Sequence, residues 1–269
     1  MGRWLWIAGL LVACKGDDDS DPGSDLADRC TDPAVWQEGT AVFTETTGSV
    51  GVLGAEGVRL LAVDFDGDGW IDLHVSRGAD AYGDASEGGT RRYWLLRNDH
   101  GAFVDVTQSS GFRRTREGDP ATVERPGSVV AFGDIDGDGD LDAYTGVTRS
   151  DSDPLEATPE LLINQGDGTF ALGPEDSIVR TALYPAGASF ADVDLDGDLD
   201  LWVPQKSSAA LQDRLFLNDG TGTFSEGTGT AGLVTKDWNL VGDLNEAKAH
   251  SNAWSGAACD LNGDGAPEL

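Results

Sequence analysis

Residues 134–142 read Asp-Ile-Asp-Gly-Asp-Gly-Asp-Leu-Asp, and related nine-residue stretches occur at 64–72, 192–200 and 260–268. All four fit the pattern D-x-[DN]-x-D-G-x-x-[DE], with an oxygen-bearing side chain at positions 1, 3, 5 and 9. Calcium binds about six to eight oxygen ligands, and carboxylates supply them. Without a cation, each carboxylate pair would repel by roughly 1–4 kcal/mol at 4 Å. The pattern therefore predicts four calcium-binding loops.

The candidate ligands follow from the pattern. They are Asp64, Asp66, Asp68 and Asp72 in loop 1; Asp134, Asp136, Asp138 and Asp142 in loop 2; Asp192, Asp194, Asp196 and Asp200 in loop 3; and Asp260, Asn262, Asp264 and Glu268 in loop 4. Asn262 carries no charge, so loop 4 is expected to bind calcium more weakly than the others.

An EF-hand is the alternative interpretation of these loops, because it also begins D-x-D-x-D-G. An EF-hand needs a bidentate Glu at position 12 and flanking helices. Position 12 is occupied here by Val75, Thr145 and Val203. The flanking residues form short apolar runs and alternate with period two, which indicates strands. We therefore predict that each loop joins two strands of a hairpin.

A second recurring phrase lies between the loops, whose first aspartates are 58 to 70 residues apart. An apolar run ends in Asn, and a Gly-containing turn then leads to Phe; the three copies are Trp94–Asn98 with Phe103, Leu161–Asn164 with Phe170, and Leu215–Asn218 with Phe224. This phrase predicts a second hairpin in each repeat. Four strands in about 60 residues are typical of a propeller or a solenoid.

Together, the two phrases resemble the FG-GAP/VCBS repeat family, the calcium-loop β-propellers related to integrin α-subunit heads. The resemblance covers about residues 43–269 and includes Phe132-Gly133-Asp134 and Phe190-Ala191-Asp192, which lead into two of the loops. It implies an all-β fold of four-stranded blades with a calcium ion in an inter-strand loop of each blade. The candidate ligands match the family's ligand positions, which implies up to four structural Ca²⁺ ions.

The number of repeats departs from the family pattern. Four are fewer than the usual propeller has, and the last one stops at Leu269, directly after its loop. We expect a partial propeller from a longer protein or a truncated gene product. A complete four-bladed propeller is the alternative.

The first residues predict export. Residues 1–13 combine Arg3 with an apolar run from Trp4 to Ala13, which is the length of a signal peptide and too short to span a membrane. Leu11-Val12-Ala13-Cys14 resembles the lipobox of bacterial lipoproteins, which implies lipidation at Cys14. Residues 14–42 are predicted to be an acidic, disordered tether. The resemblance implies an outer-membrane or cell-surface location, with the lipid anchor as the only membrane attachment.

Composition limits the partners. The net charge of −30, from 18 basic and 48 acidic residues, excludes an ordinary nucleic-acid-binding protein. Apart from Cys14, the chain contains Cys30 and Cys259, which can pair as a disulfide or stay reduced. Six arginines, Arg91, Arg92, Arg113, Arg114, Arg116 and Arg125, form either a basic patch for an anionic glycan or a solvated loop.

A catalytic constellation is not predicted. The three histidines, His74, His100 and His250, lie in unrelated contexts, and no G-x-S-x-G or H-E-x-x-H motif occurs. We expect a non-enzymatic module that binds or adheres to a protein or glycan ligand. Two alternatives are a propeller domain of a larger glycan-active enzyme, whose catalytic part lies outside this chain, and a scaffold for a secreted complex.

Overall fold

The computed structural model describes residues 44–57, 59–76, 93–114, 116, 129–146, 158–205, 212–234, 236–237, 249–250, 258–263 and 267. The chain consists of two compact units, Met1–Glu45 and Thr46–Leu269. Almost all of the first unit lies outside the described residues, including the whole of the predicted signal peptide and of the predicted tether.

Twelve strands of the second unit form three four-stranded sheets. Sheet 1 contains β1 (Arg59–Val63), β2 (Asp72–Ser76), β3 (Tyr93–Asp99) and β4 (Ala102–Asp105). Sheet 2 contains β5 (Val129–Gly133), β6 (Asp142–Gly146), β7 (Glu160–Asn164) and β8 (Phe170–Leu172). Sheet 3 contains β9 (Ser189–Ala191), β10 (Asp200–Val203), β11 (Arg214–Asn218) and β12 (Phe224–Glu226).

Each sheet is an antiparallel meander in chain order. The first two strands are joined by an acidic loop, whose closing pair is Val63↔Asp72 in sheet 1 and Gly133↔Asp142 in sheet 2. The last two strands are joined by a tight turn, as with Asp99↔Ala102. Both hairpins predicted for each repeat are therefore confirmed in three repeats, and the strands that flank the loops contradict the EF-hand alternative.

The sheets bury their apolar residues against one another. One core cluster combines Phe65, Leu95 and Tyr93 of the first repeat with Leu162 and Phe170 of sheet 2. A second cluster combines residues of sheets 2 and 3. Accordingly, every residue of β6 is buried, whereas four of the five residues of β1 are exposed. Each repeat thus depends on its neighbours for a core, as repeat proteins do.

The segment between β4 and β5 contributes Phe112 to the first of these clusters. Its ring lies edge-on to Phe170, with centroids 5.2 Å apart, and stacks on Phe132 at 5.9 Å. Phe112 is 1% exposed. This connection therefore joins sheets 1 and 2 through a buried aromatic contact.

Further short elements complete the described structure. A 3-10 helix spans Ile178–Thr181, and β13 (Lys236–Asp237) pairs in parallel with β14 (Ala249–His250). Among the described residues, no α-helix occurs. None of the helices described has the length and apolar character required to cross a membrane.

Candidate metal centres

The position 1 aspartate organises the start of each acidic loop. Asp64 accepts hydrogen bonds from the N–H groups of Asp68 (3.1 Å) and Gly69 (2.9 Å). Asp192 accepts the same two bonds from Asp196 and Gly197, both at 3.1 Å. In loop 2, Asp134 accepts from Gly137 (2.8 Å) and Gly139 (3.1 Å). The chain thus curls around its first carboxylate, which the glycine at position 6 permits.

The position 9 aspartate ties the two hairpins of each sheet together. In sheet 1, Asp72 accepts from the N–H of Phe65 at 3.1 Å and of Asn98 at 2.7 Å. The equivalent aspartate of sheet 2, Asp142, accepts from Ile135 at 3.1 Å and Asn164 at 2.8 Å. In sheet 3, Asp200 accepts from Val193 at 3.0 Å and Asn218 at 2.9 Å. All three aspartates are buried.

The carboxylates at positions 1, 3 and 9 converge in all three loops. One oxygen from each lies within 4.8 Å of the other two; the sets are Asp64, Asp66 and Asp72; Asp134, Asp136 and Asp142; and Asp192, Asp194 and Asp200. One oxygen of Asp66, Oδ1, is buried and has no hydrogen-bond partner. A buried carboxylate oxygen without a partner is costly. These donor sets therefore fit a hard divalent cation, which binds carboxylate oxygens.

Burial alters the protonation of these groups. It raises the pKa of Asp72 and of Asp142 to about 6, although two backbone N–H groups stabilise each charge. Burial likewise raises the pKa of Asp200. At position 3, burial and then the neighbouring position 5 carboxylate raise the pKa of Asp66, Asp136 and Asp194. Crowded, partly buried carboxylates favour any bound positive charge, whether a proton or a metal ion.

The position 5 aspartates have a local hydrogen-bonding role in loops 1, 2 and 3. Asp68, Asp138 and Asp196 do not belong to the three converging sets. Each accepts a hydrogen bond from the N–H of position 7 instead, at 2.8, 2.9 and 3.0 Å in loops 1, 2 and 3. In loops 1, 2 and 3 the carboxylates of positions 1, 3 and 9 thus form the converging set, while that of position 5 supports the turn; the assignment of these residues as calcium ligands remains a prediction.

Backbone conformation at position 4 distinguishes loop 3 from the other loops. This position has a positive φ in every loop: Gly67 at 70°, Gly137 at 75°, Leu195 at 63° and Gly263 at 79°. Of these four residues, only Leu195 is not glycine, so only Leu195 has the steric cost of a side chain at positive φ. Its side chain is exposed, so no packing contact requires leucine there.

Several predicted site residues lie outside the described residues or only partly within them. In loop 4, Asp260 accepts a hydrogen bond from Gly263 at 2.6 Å, as Asp134 does from Gly137 in loop 2. Asp264 and Glu268 lie outside the described residues, as do Cys14 and Cys30. Cys259 is exposed. Pairing of Cys30 with Cys259 therefore stays an open alternative, and the lipidation of Cys14 stays a prediction.

Two of the arginines and one of the histidines make structural contacts. The guanidinium of Arg113 lies 4.4 Å from the Tyr93 ring centroid and is buried, and Arg116 is paired with buried Glu160. The expectation of an exposed basic patch or solvated loop is therefore wrong for these two residues; Arg114 is exposed, and Arg91, Arg92 and Arg125 lie outside the described residues. His74 is buried between Tyr93 and Phe112, and burial lowers its pKa to about 4.

The sequence pattern predicts only a turn at the recurring asparagines Asn98, Asn164 and Asn218. The structure shows that the backbone N–H of each one binds the position 9 carboxylate of its own sheet. Their side-chain amides also bind loop carbonyls, as with Asn98 Nδ2 and the Ile71 oxygen at 2.9 Å. The repetition of Asn at one place in every copy of the second phrase was the available signal.

Comparison with known proteins gives three findings. No curated protein matches the chain. One similar solved structure is titled "Structural basis of specific recognition of non-reducing terminal N-acetylglucosamine by an Agrocybe aegerita lection". It is 18% identical with a TM-score of 0.36, and the alignment covers 62% of this chain and 37% of that chain. This chain therefore aligns with well under half of that protein's length.

A family model described as an FG-GAP-like repeat matches residues 64–145 and 148–203. The two matches include loops 1, 2 and 3 in full and make up just over half of the chain. They also contain the second hairpin of sheets 1 and 2. The chain therefore belongs to the FG-GAP-like repeat family.

Proposed function

We propose that this chain is a calcium-stabilised β-propeller module, held at a bacterial cell envelope, that binds a protein or glycan ligand without catalysing a reaction. The observation that carries the proposal is the threefold recurrence of converging carboxylates at positions 1, 3 and 9. A single cluster of this kind is a common surface feature. Three with closely similar backbone hydrogen bonds indicate that each repeat uses its carboxylates in the same structural way.

Calcium would have a structural role at these sites. Asp64, Asp66 and Asp72 would hold the ion in loop 1, with the corresponding residues in loops 2 and 3. A bound divalent cation would offset the negative charge of the converging carboxylates. It would also give the buried Oδ1 of Asp66 a partner. Calcium outside the cytoplasm is abundant enough to fill even weak sites of this type.

A propeller arrangement is favoured by the way in which the sheets pack. Sheet 2 buries one face against sheet 1 and the other against sheet 3. Successive four-stranded meanders that pack in this way are typical of propeller blades, which supports the proposed arrangement. The loops and turns at the blade edges would then provide the binding surface, because connecting segments carry most recognition residues.

The non-catalytic role rests on the described histidines and on the acidic loops. His74 is enclosed by aromatic rings, and His100 is exposed and hydrogen-bonded to Asp99 at 2.8 Å. The converging carboxylates are the chemically distinctive groups among the described residues, and metal binding accounts for them. The sequence before Cys14 supports an exported, lipid-anchored protein, for which Cys14→Ser should release the protein from the membrane fraction.

Calcium removal tests the core of this proposal. The melting temperature of the full chain, measured by circular dichroism, should fall sharply in EDTA and recover when calcium is returned in excess. Magnesium at the same concentration serves as the control, since it is smaller and demands near-octahedral geometry. An unchanged melting curve in EDTA would contradict a structural role for calcium. Turnover of any member of a polysaccharide panel would contradict the non-catalytic role.

A further inference from the structure

Two asparagine side chains connect acidic loops that belong to different sheets. The amide nitrogen of Asn164 donates to the carbonyl of Phe65 in loop 1 at 2.8 Å and to the carbonyl of Leu141 in loop 2 at 3.1 Å. Asn218 repeats this arrangement with Ile135 in loop 2 at 2.8 Å and Leu199 in loop 3 at 3.2 Å. An asparagine amide has two N–H donors. Both are therefore used, one on each of two adjacent loops.

The carbonyls that accept these bonds lie next to the converging carboxylates. Phe65 stands between Asp64 and Asp66, at position 2 of loop 1, and its own N–H donates to Asp72. Leu141 directly precedes Asp142, to which the backbone N–H of Asn164 donates at 2.8 Å. Asn164 thus binds the loop 1 backbone between the candidate ligands Asp64 and Asp66, and it binds the candidate ligand Asp142 of loop 2 directly.

These hydrogen bonds are buried, so breaking them would leave polar groups without partners. Asn164 is 3% exposed and Phe65 is 2% exposed. The turn that follows Asn164 also lies close to loop 1, because a Cβ added at Gly168 would be 2.9 Å from Cβ of Asp66. A buried amide that loses its acceptor leaves an unsatisfied polar group. The position of the Phe65 carbonyl and the conformation of loop 2 therefore constrain each other through Asn164.

We infer that Asn164 and Asn218 are positioning residues that couple ion binding in adjacent loops, so that loops 1, 2 and 3 form a linked series rather than three independent sites. This inference rests on the proposed calcium binding. An ion that fixes the backbone at positions 1 to 3 of loop 1 fixes the acceptor for Asn164. That bond in turn orders the residues beside Asp142. Coupling of this kind is reciprocal, so each loop raises the affinity of its neighbour.

Asn98 provides a matched control within the chain. It makes the same bonds inside its own sheet, to Asp72 through its backbone N–H at 2.7 Å and to Ile71 through Nδ2 at 2.9 Å. In the part of the chain that the structure describes, its amide has no acceptor on an earlier sheet. Asn98→Ala therefore removes a side-chain bond within one sheet, whereas Asn164→Ala also removes the side-chain bond between sheets. Both variants keep the backbone N–H that binds the position 9 carboxylate.

A site-specific reporter is available in loop 1. Trp70 occupies position 7 there, whereas Asp140 and Asp198 occupy that position in loops 2 and 3. Terbium(III) prefers oxygen ligands as calcium does and emits when a nearby indole transfers energy to it. The part of the terbium signal that Trp70→Phe abolishes therefore reports on loop 1. Loop 2 can be disabled with Asp136→Ala, since that side chain makes no contact with Asn164 among the hydrogen bonds described above.

The experiment is a double-mutant cycle on the full chain. Terbium affinity at loop 1 is measured with loop 2 intact or disabled, in the natural chain, in Asn164→Ala and in Asn98→Ala. We expect the disabled loop 2 to weaken loop 1 by about fivefold or more in the natural chain and in Asn98→Ala. In Asn164→Ala, disabling loop 2 should leave the loop 1 affinity unchanged.

The outcomes separate the inference from the function on which it rests. Two outcomes would show that the coupling inference is wrong, provided that loop 1 binds terbium. In the first, disabling loop 2 weakens terbium binding at loop 1 equally in Asn164→Ala and Asn98→Ala. In the second, disabling loop 2 has no effect on that binding in the natural chain or in either variant. If loop 1 binds neither terbium nor calcium in the natural chain, the proposed function fails first. Should Asn164→Ala not fold, Asn164→Asp replaces it, with Asn98→Asp as its control, because aspartate keeps the side-chain acceptor but loses both N–H donors.

Discussion

Arg116 holds the carboxylate of Glu160 from a position 44 residues earlier in the chain, with Nε 3.0 Å from Oε1 and Nη2 2.8 Å from Oε2. The same Nη2 donates to the carbonyl of Gly173, and Nε of Arg180 donates to Oε1 of Glu160 at 3.1 Å. Glu160 is buried at the start of β7. Two cations from separate segments therefore meet on one buried anion of sheet 2.

Glu160→Gln should destabilise the protein by about 3 kcal/mol, because it removes a buried anion and leaves two partly buried guanidinium groups without their counter-charge. Urea unfolding of the calcium-saturated protein measures this change. The matched control is Glu226→Gln, which breaks the more exposed Arg214–Glu226 pair of sheet 3. That variant should lose less than about 1 kcal/mol. Equal losses would show that burial of Glu160 adds nothing to its ion pairs.

Substitutions at positions 3 and 5 of one loop should have unequal effects on calcium binding. Asp136→Ala removes a member of the converging set in loop 2, so it should abolish calcium binding at that loop. Asp138→Ala removes a carboxylate that binds the N–H of Asp140, and it should reduce affinity less. Isothermal titration calorimetry gives the number of ions bound by each variant. A greater loss with Asp138→Ala would place the position 5 carboxylate, rather than position 3, at the ion.

His74 should make the protein sensitive to acid. Burial lowers its pKa to about 4 in the folded protein, against an ordinary value of about 6.5. Between these pH values the unfolded chain binds a proton that the folded protein does not. Stability that is present at pH 7 should therefore fall as the pH drops from about 6.5 to 4, by at most roughly 3 kcal/mol.

The variant His74→Leu isolates this contribution. Free energies of unfolding are compared between the variant and the natural protein across the same pH range, with calcium in excess throughout. The difference between them should be constant above about pH 7 and shift in favour of the leucine variant at lower pH. Parallel pH profiles for the two proteins would show that His74 is not kept neutral in the fold.

Leu195→Gly should stabilise the protein by up to about 1 kcal/mol, because glycine adopts the positive φ of position 4 without steric cost, a gain partly offset by its greater freedom in the unfolded chain. Leu195→Ala is the control, since it shortens the exposed side chain and keeps the strain. Thermal unfolding should show a higher melting temperature for the glycine variant only. Similar gains in both variants would assign the effect to the side chain and not to the backbone.

Local features of the fold were predictable, because their causes are local. Period-two alternation and turn residues predicted both hairpins. The nine-residue pattern predicted that carboxylates at positions 1, 3, 5 and 9 gather in each loop, and the converging sets of loops 1, 2 and 3 contain positions 1, 3 and 9. Relationships between repeats were not predictable in the same way. Asn164 donates a hydrogen bond to a carbonyl 99 residues earlier. Because every residue has a backbone carbonyl, the sequence does not indicate which one accepts the bond.

The arginines show a second limit of sequence reasoning. Arg113 and Arg116 belong to a charged run that is typical of a solvated segment. Nothing within that run indicates the Tyr93 ring or the carboxylate of Glu160, which lie on strands of two different sheets. Position 5 of the loops shows the same limit on a smaller scale, because an aspartate that supports a turn and one that faces an ion have the same letter.

The two hydrogen bonds at Asp72 bear on how this molecule can be divided. One oxygen binds the N–H of Phe65 within the acidic loop, and the other binds the N–H of Asn98 in the second hairpin. A nine-residue peptide copied from residues 64–72 would keep every candidate ligand of loop 1. It would lack Asn98, which is one of the two donors that orient Asp72. A segment transplanted into another scaffold must therefore include the second hairpin, because a shorter graft lacks the Asn98 donor to Asp72.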